Sequence, residues 1–387
     1  MKIKIKTIII LSCGILLTAQ YAGAWSSVIR LTWNGGASDE PCIAVDSNDY
    51  IHVVWMDDSP GRMEIFYKKS TDGGSSWSAP HRLTWLSGAS EFPVIVVDPS
   101  DNLHVVWSDG TPGFSEIYYK LSTDGGSSWG GARRLTWTQG RSAFPALAVG
   151  SGSRLHLVWA DNSPGNYEIY YKQSTDGGVT WSAPHRLTWN SGDSDNPFLL
   201  MGSGNNVHIF WNDYTPFNWE IYSKTSTDNG STWGSPKRLT WNSGTSGMPA
   251  AANKGGHLYL TWHDQSPGNF EIFAKASMNG GASWSPPTRL TWNSGTSGHP
   301  TIGVDSNETC HVIWHDDSVG NAELNYKKSY DNTVTWSSLT RITWNSGASL
   351  VPCLAIDSAN NIHVVWTDFT PGNWEIFYKW QTGTIIK

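Results

Sequence analysis

The tetrapeptide Arg-Leu-Thr-Trp begins at Arg30, Arg82, Arg134, Arg186, Arg238 and Arg289 and returns as Arg-Ile-Thr-Trp at Arg341, at a spacing of 52 residues broken once by 51. A period of this length, kept seven times, leaves few architectures open, because each unit has to bury its apolar surface against the next copy of itself. Every unit runs in the same order. In the first, a Pro-containing apolar stretch (Pro41 to Asp46) is followed by Ile51 to Trp55, then after a turn by Glu64 to Lys68, then by Ser70 to Trp77. These runs are short, rich in Val, Ile, Tyr, Phe and Trp, and bounded by Gly, Pro, Asn, Asp and Ser, which is the punctuation of strands. Beyond the first 24 residues no window carries a 3.6-residue apolar period long enough for a helix. Four short strands in a repeat of this size read as one blade of a propeller, whereas a β-solenoid would repeat at a shorter period.

The two ends show how the ring closes. Trp25-Ser26 stands one period before Trp77-Ser78, and the last unit stops after Glu375 to Lys379 without a fourth strand. The segment from Ser26 to Thr32 is free to supply it, which removes the open edge between first and last blades. The expected fold is therefore all-β: a seven-bladed propeller of four antiparallel strands per blade, built as one domain from residues 25–387, with an N-terminal strand completing the last blade.

The residues ahead of that domain read as an export signal spanning 1–24. Lys2, Lys4 and Lys6 form a positive start, Thr7 to Leu17 an apolar stretch, and Ala22-Gly23-Ala24 a small-residue cleavage site. No later stretch approaches the ~18 consecutive apolar residues of a membrane span. A secreted or periplasmic protein is expected.

Composition excludes two further classes. With 24 Trp the chain is too aromatic for disorder. With a net charge of −7 and 26 Lys and Arg scattered without a basic run, it lacks the electrostatic footprint of a nucleic-acid binder. The Trp sort by period. Seven follow Arg-Leu/Ile-Thr, seven end the second strand, seven close the Ser70-to-Trp77 type of turn if Trp25 is counted, and Trp219, Trp374 and Trp380 are left over.

The turn Ser70-Thr71-Asp72-Gly73-Gly74-Ser75-Ser76-Trp77 resembles the Asp box, or bacterial neuraminidase repeat, of the sialidase-like propeller superfamily. It recurs at Ser122 to Trp129, Ser174 to Trp181 and Ser226 to Trp233. Two copies are degraded, with Asn279 replacing the Asp in one and Thr333 the second Gly in another. Asp72, Asp124, Asp176 and Asp228 can accept backbone N–H groups across the turn, Gly supplies a positive φ, and Trp77, Trp129, Trp181 and Trp233 fold back as hydrophobic plugs. These roles are structural and need no ligand.

The resemblance also implies what a sialidase would carry: an Arg triad for the substrate carboxylate, a Tyr nucleophile paired with a Glu, and an acid/base Asp. One reaction centre drawn from several blades must break the ring symmetry. Here Arg30 and its counterparts share one context, and the Glu at 64, 116, 168, 220, 271, 323 and 375 and the His at 52, 104, 156, 208, 311 and 363 are blade-repeated. The repeated His read as packed strand residues. Of the Arg outside the pattern, Arg62, Arg133, Arg141 and Arg154, Arg133 and Arg154 fall on the Asp-box side. No catalytic residue is assigned, and no HExxH or Cys/His spacing calls for a metal or cofactor.

Strand order puts the Asp boxes and the Asp46-to-Asp49 turns on one face. The Trp-Asn-Ser-Gly-x-Ser loops and the loops from Asp161 to Glu168, Asp264 to Glu271 and Asp368 to Glu375 lie on the other. That second face brings Trp, Asn, Asp and Glu to each blade junction, a mixture suited to sugars, whose apolar faces stack on aromatics while their hydroxyls bond carboxylates and amides. The residue before the repeated Glu varies, and Tyr167, Trp219, Phe270 and Trp374 are aromatic there without being demanded by the repeat. Together with Asp161, Asp213, Asp264 and Asp368 they are the candidate ligand residues. The repeat Trp, those of Arg-Leu-Thr-Trp included, are expected to fill the space between blades, and the repeated charges are open to pairing with each other at the rim. The function expected is non-catalytic recognition, with glycans or cell-surface glycoconjugates bound at several similar sites. A sialidase-like glycosidase and a protein-binding scaffold are the alternatives. Cys42 and Cys353 occupy equivalent positions in blades that closure makes neighbours, and free thiols are expected there.

Overall fold

In the computed structural model, which describes residues 23–383 apart from 112 and 216, the chain forms seven four-stranded antiparallel sheets. Blade one consists of Ser38–Val45, Ile51–Asp57, Glu64–Ser70 and His81–Arg82, in that order from the axis outward. Blades two to six repeat it. Blade seven takes Ser349–Ile356, Ile362–Asp368 and Glu375–Gln381 and is completed by Ile29–Arg30, which pairs Ile29 with Tyr378 and Arg30 with Phe377. The expected closing strand is thus present, shortened to two residues like every outer strand, with Trp25 adding one isolated bridge to Gln381. The first 22 residues of the expected leader lie outside the described residues. Among the described residues no helix is long and apolar enough to cross a membrane.

The second strand of each blade is covered on both faces by neighbouring blades, so it is apolar almost without alternation. Its Trp (Trp55, Trp107, Trp159, Trp211, Trp262, Trp314 and Trp366) is at most 1% exposed. The repeated His is buried in the same layer. His52 Nδ1, for example, lies 2.8 Å from the Tyr67 hydroxyl, and His208 differs only in meeting Thr225 instead.

The Asp boxes join blade to blade. Asp72 accepts the Ser76 N–H at 2.8 Å and the Ser76 hydroxyl at 2.6 Å, while Trp77 donates its indole N–H to the Gly74 carbonyl. These donors hold the carboxyls of Asp72, Asp124, Asp176 and Asp228 below the usual range, the Ser or Thr hydroxyl contributing most. Trp77 packs edge-on against Tyr378 of the preceding blade at 5.0 Å between ring centroids, and Trp129, Trp181 and Trp233 repeat this on Tyr67, Tyr119 and Tyr171. The degraded copy at Thr333 has a physical reason. Where Thr333 replaces the second Gly, the preceding blade carries Ala274 in place of the Tyr, so a side chain fits. Trp25 meets Tyr326 in the same edge-on way, at 5.5 Å, and so serves as the Asp-box Trp of the closing blade.

Candidate functional site

The face opposite the Asp boxes is built from three concentric layers, the outer two repeated and the innermost not. In the repeated network Glu64 is fully buried and accepts Arg82 at 2.7 Å and the Thr84 hydroxyl at 2.5 Å. The equivalent Arg–Glu pairs span 2.6–2.9 Å in all seven blades. Each blade also holds one Asp that is buried beside its Trp. Asp264 takes the Ser246 hydroxyl at 2.7 Å, the Asn242 amide at 2.6 Å, the Trp262 indole N–H at 3.1 Å and the Ser266 N–H at 2.8 Å. Asp161, Asp213 and Asp368 are held by equivalent protein donors, and none of the four is more than 2% exposed. Their oxygens face the protein's own N–H and O–H groups.

The Trp of Arg-Leu-Thr-Trp does not take the packed role expected of it. Leu83 and Thr84 turn inward, Thr84 to receive the Ile65 N–H, and the chain leaves the two-residue outer strand with the next side chain pointing out. Trp33, Trp85, Trp137, Trp189, Trp241, Trp292 and Trp344 are 61–69% exposed. Each lies under its own blade's Arg guanidinium at 5.5–6.0 Å. In six of the seven the next blade's Lys ammonium stands 5.4–5.6 Å from the ring, and Lys68, Lys172, Lys224, Lys327 and Lys379 among them also donate to a backbone carbonyl. These contacts orient the indole without covering it. Beside Trp241 the junction opens into a groove of about 510 Å³ floored by Lys275, Trp284 and Pro286.

The innermost layer breaks the symmetry. Each inner strand starts Ser-x-x-Pro, and the residue before the Pro forms a bulge with φ between +46° and +55°. Those residues are Glu40, Phe92, Phe144, Asn196, Met248, His299 and Val351, and together with the ring of Pro they line an axial funnel of about 300 Å³. A side chain with a Cβ in the left-handed region is strained, so the fold holds seven non-glycine residues there against their preference.

Beside the funnel-lining His299, His263 and His315 occupy space that Gly247 and Gly298 leave open, since a Cβ on either Gly would lie 2.8 Å from the facing imidazole Nε2. His299 stands between them, 5.2 Å from His315 and 6.4 Å from His263 by ring centroids. Burial lowers all three, His263 to about 4 and His315 to about 3, so the cluster is neutral near pH 7. Across the ring burial acts on acids in the other sense. It raises Glu40 to about 7, helped by the charge of Asp39, and Asp195 to about 6 against the hydrogen bonds from Asn196 and Asn212. Among the described residues no group of three or more His, Cys, Asp or Glu is arranged to hold a metal ion.

Tyr167, Trp219, Phe270 and Trp374 are half-buried where their loops meet the next blade. Their carbonyls accept the N–H of the Ser that starts the next inner strand, at 2.7–2.8 Å. Trp219 packs on Tyr214, Trp374 on Phe369 and Phe270 on His263. Arg141 reaches the same side, 3.6 Å from Glu91, while Arg133 binds the carbonyls of Gly178 and Val179 on the Asp-box face, where it was expected. The expectation of an unbroken sevenfold ring therefore holds for the blades and fails at the axis. The signal was present in the sequence as the two variable positions inside each Ser-x-x-Pro.

The model of a family described as BNR repeat-containing family member matches residues 36–186. No curated protein matches the sequence. Among solved structures, a protein of unknown function from Dyadobacter fermentans is 14% identical, with 93% of this chain and 99% of that one covered at a TM-score of 0.60. The α-L-arabinofuranosidase of Fusarium graminearum with arabinobiose is 13% identical, with 92% and 98% covered at 0.58. The NanB sialidase of Streptococcus pneumoniae is 14% identical, with 93% and 70% covered at 0.52. At such identities the likeness is one of fold alone, that of a β-propeller.

Proposed function

We propose that the protein is an exported carbohydrate-binding propeller that presents one saccharide platform at each blade junction. The observation that carries this reading is the ring of seven Trp left 61–69% exposed at equivalent positions, each with its orientation set by an Arg. An exposed indole of fixed orientation, repeated on a rigid ring, is suited to stacking on the apolar face of a sugar. Seven weak, parallel sites on a glycan-coated surface gain about 10²–10⁴ in avidity over one. The arabinobiose seen with a solved propeller of the same fold is in keeping with a sugar ligand. A broad glycan array tests the reading. Binding should fall in Trp85→Ala and fall further in Trp85→Ala/Trp189→Ala, and an array with no signal would refute it.

A second reading, hydrolysis of a glycoside in the axial funnel, is favoured by the half-buried Glu40 on its lining, a carboxyl raised to about 7 and so able to hold its proton close to neutral pH. Cleavage of a fluorogenic α-L-arabinofuranoside or sialoside, lost in Glu40→Gln, would establish it. No turnover of either would leave the funnel without that role.

A further inference from the structure

Cys42 and Cys353 line the funnel from the inner strands of blades one and seven, at the one seam where first and last units meet. The same register holds Val94, Ala146, Phe198, Ala250 and Thr301 in the other blades, so closure alone brings two thiols together. The thiols are free, and the inner strands that carry them pack side by side, so that Cys42 and Cys353 neighbour each other on the funnel lining, with the backbone of Ile43 beside both. Around them the ring is held by the two-residue strand Ile29–Arg30, a short pairing to resist opening.

We propose that Cys42 and Cys353 are a modification site that a small disulfide oxidant converts to a disulfide, clasping blade one to blade seven. An S–H of Cys353 donated to Cys42 favours the Cys42 thiolate from which exchange starts, the displaced proton going to solvent, and the open mouth of the funnel admits the oxidant. The Cys42 thiolate attacks a sulfur of the external disulfide and expels one thiolate, leaving a mixed disulfide. The Cys353 thiolate then attacks the Cys42 sulfur and the second external thiolate leaves. Two cysteine thiols are oxidised and one external disulfide is reduced to two thiols. The bond would close nearly the whole chain into one loop, so it removes a large amount of unfolded-state freedom.

The test is treatment of the full chain with oxidised glutathione, followed by alkylation under denaturing conditions and peptide mapping. A cross-linked Cys42–Cys353 peptide, with Cys310 alkylated, is the expected result, together with a rise in Tm that dithiothreitol reverses. Cys42→Ser and Cys353→Ser should show neither the cross-link nor the Tm rise. Alkylation of both Cys42 and Cys353 in the oxidised wild type, or glutathione adducts in place of the cross-link, would overturn the proposal.

Discussion

A Cβ on Gly126 would lie 2.1 Å from the hydroxyl oxygen of Tyr67 in the preceding blade. The second Gly of the Asp box is thus an inter-blade position as well as a turn position. Gly126→Ala combines a clash with a φ of +81° and should cost roughly 2–4 kcal/mol in chemical denaturation. The natural pairing of Thr333 with Ala274 predicts the remedy. In a Tyr67→Ala background the added cost of Gly126→Ala should shrink to the backbone strain alone, a coupling that a double-mutant cycle reads directly.

The two Trp classes of one unit should separate in opposite directions. Trp107→Ala, in the fully buried second strand, should cost about 3–5 kcal/mol. Trp85→Ala, at 61% exposed, should change stability by less than about 1 kcal/mol while lowering glycan binding. Urea unfolding beside array binding of the two variants checks both halves.

Glu40 sets one side of the pH dependence. Its carboxyl is raised to about 7 in the fold, so the stabilising balance is full below its unfolded value near 4.5 and is lost as pH rises toward 7. Glu40→Gln should therefore match the wild type near pH 4.5 and exceed it at pH 8, by up to about 3 kcal/mol. Thermal unfolding across that range is the measurement, and a variant less stable than the wild type at pH 8 would contradict it.

The imidazoles act with the opposite sign. His315 is lowered to about 3, so the stability that depends on its being neutral is present above pH 6.5 and is lost progressively as pH falls below that value. His315→Gln should flatten the acid limb between pH 6.5 and 4 while leaving pH 8 nearly unchanged. Titration of the His315 ring followed by NMR gives the same answer without a variant.

Much of the fold was legible in the repeat. The period set the blade, the blade count and the closure, and the equivalence of Trp25 to Trp77 assigned the N-terminal strand to the edge of Glu375–Gln381, where it lies. Two things escaped for physical reasons. The outer strand is two residues long, too short to show an alternation, so nothing in Arg82-Leu83-Thr84-Trp85 said that Trp85 would point to solvent. Asp161 and Asp264, read as ligand groups because they recur in polar loops, recur because each anchors its blade's own Ser and Trp. The funnel was missed differently. Positions such as Glu40 and His299 vary between constant neighbours, and it took the bulge at each Pro to bring them to one axis.

Counting bound saccharide on the intact ring tests the central claim most directly. Native mass spectrometry, with the soluble form of a glycan selected on the array, should show successive binding of up to seven equivalents, with one lost for each rim Trp changed to Ala. A single equivalent that survives those substitutions and disappears in Glu40→Gln would place recognition at the axis and contradict the account.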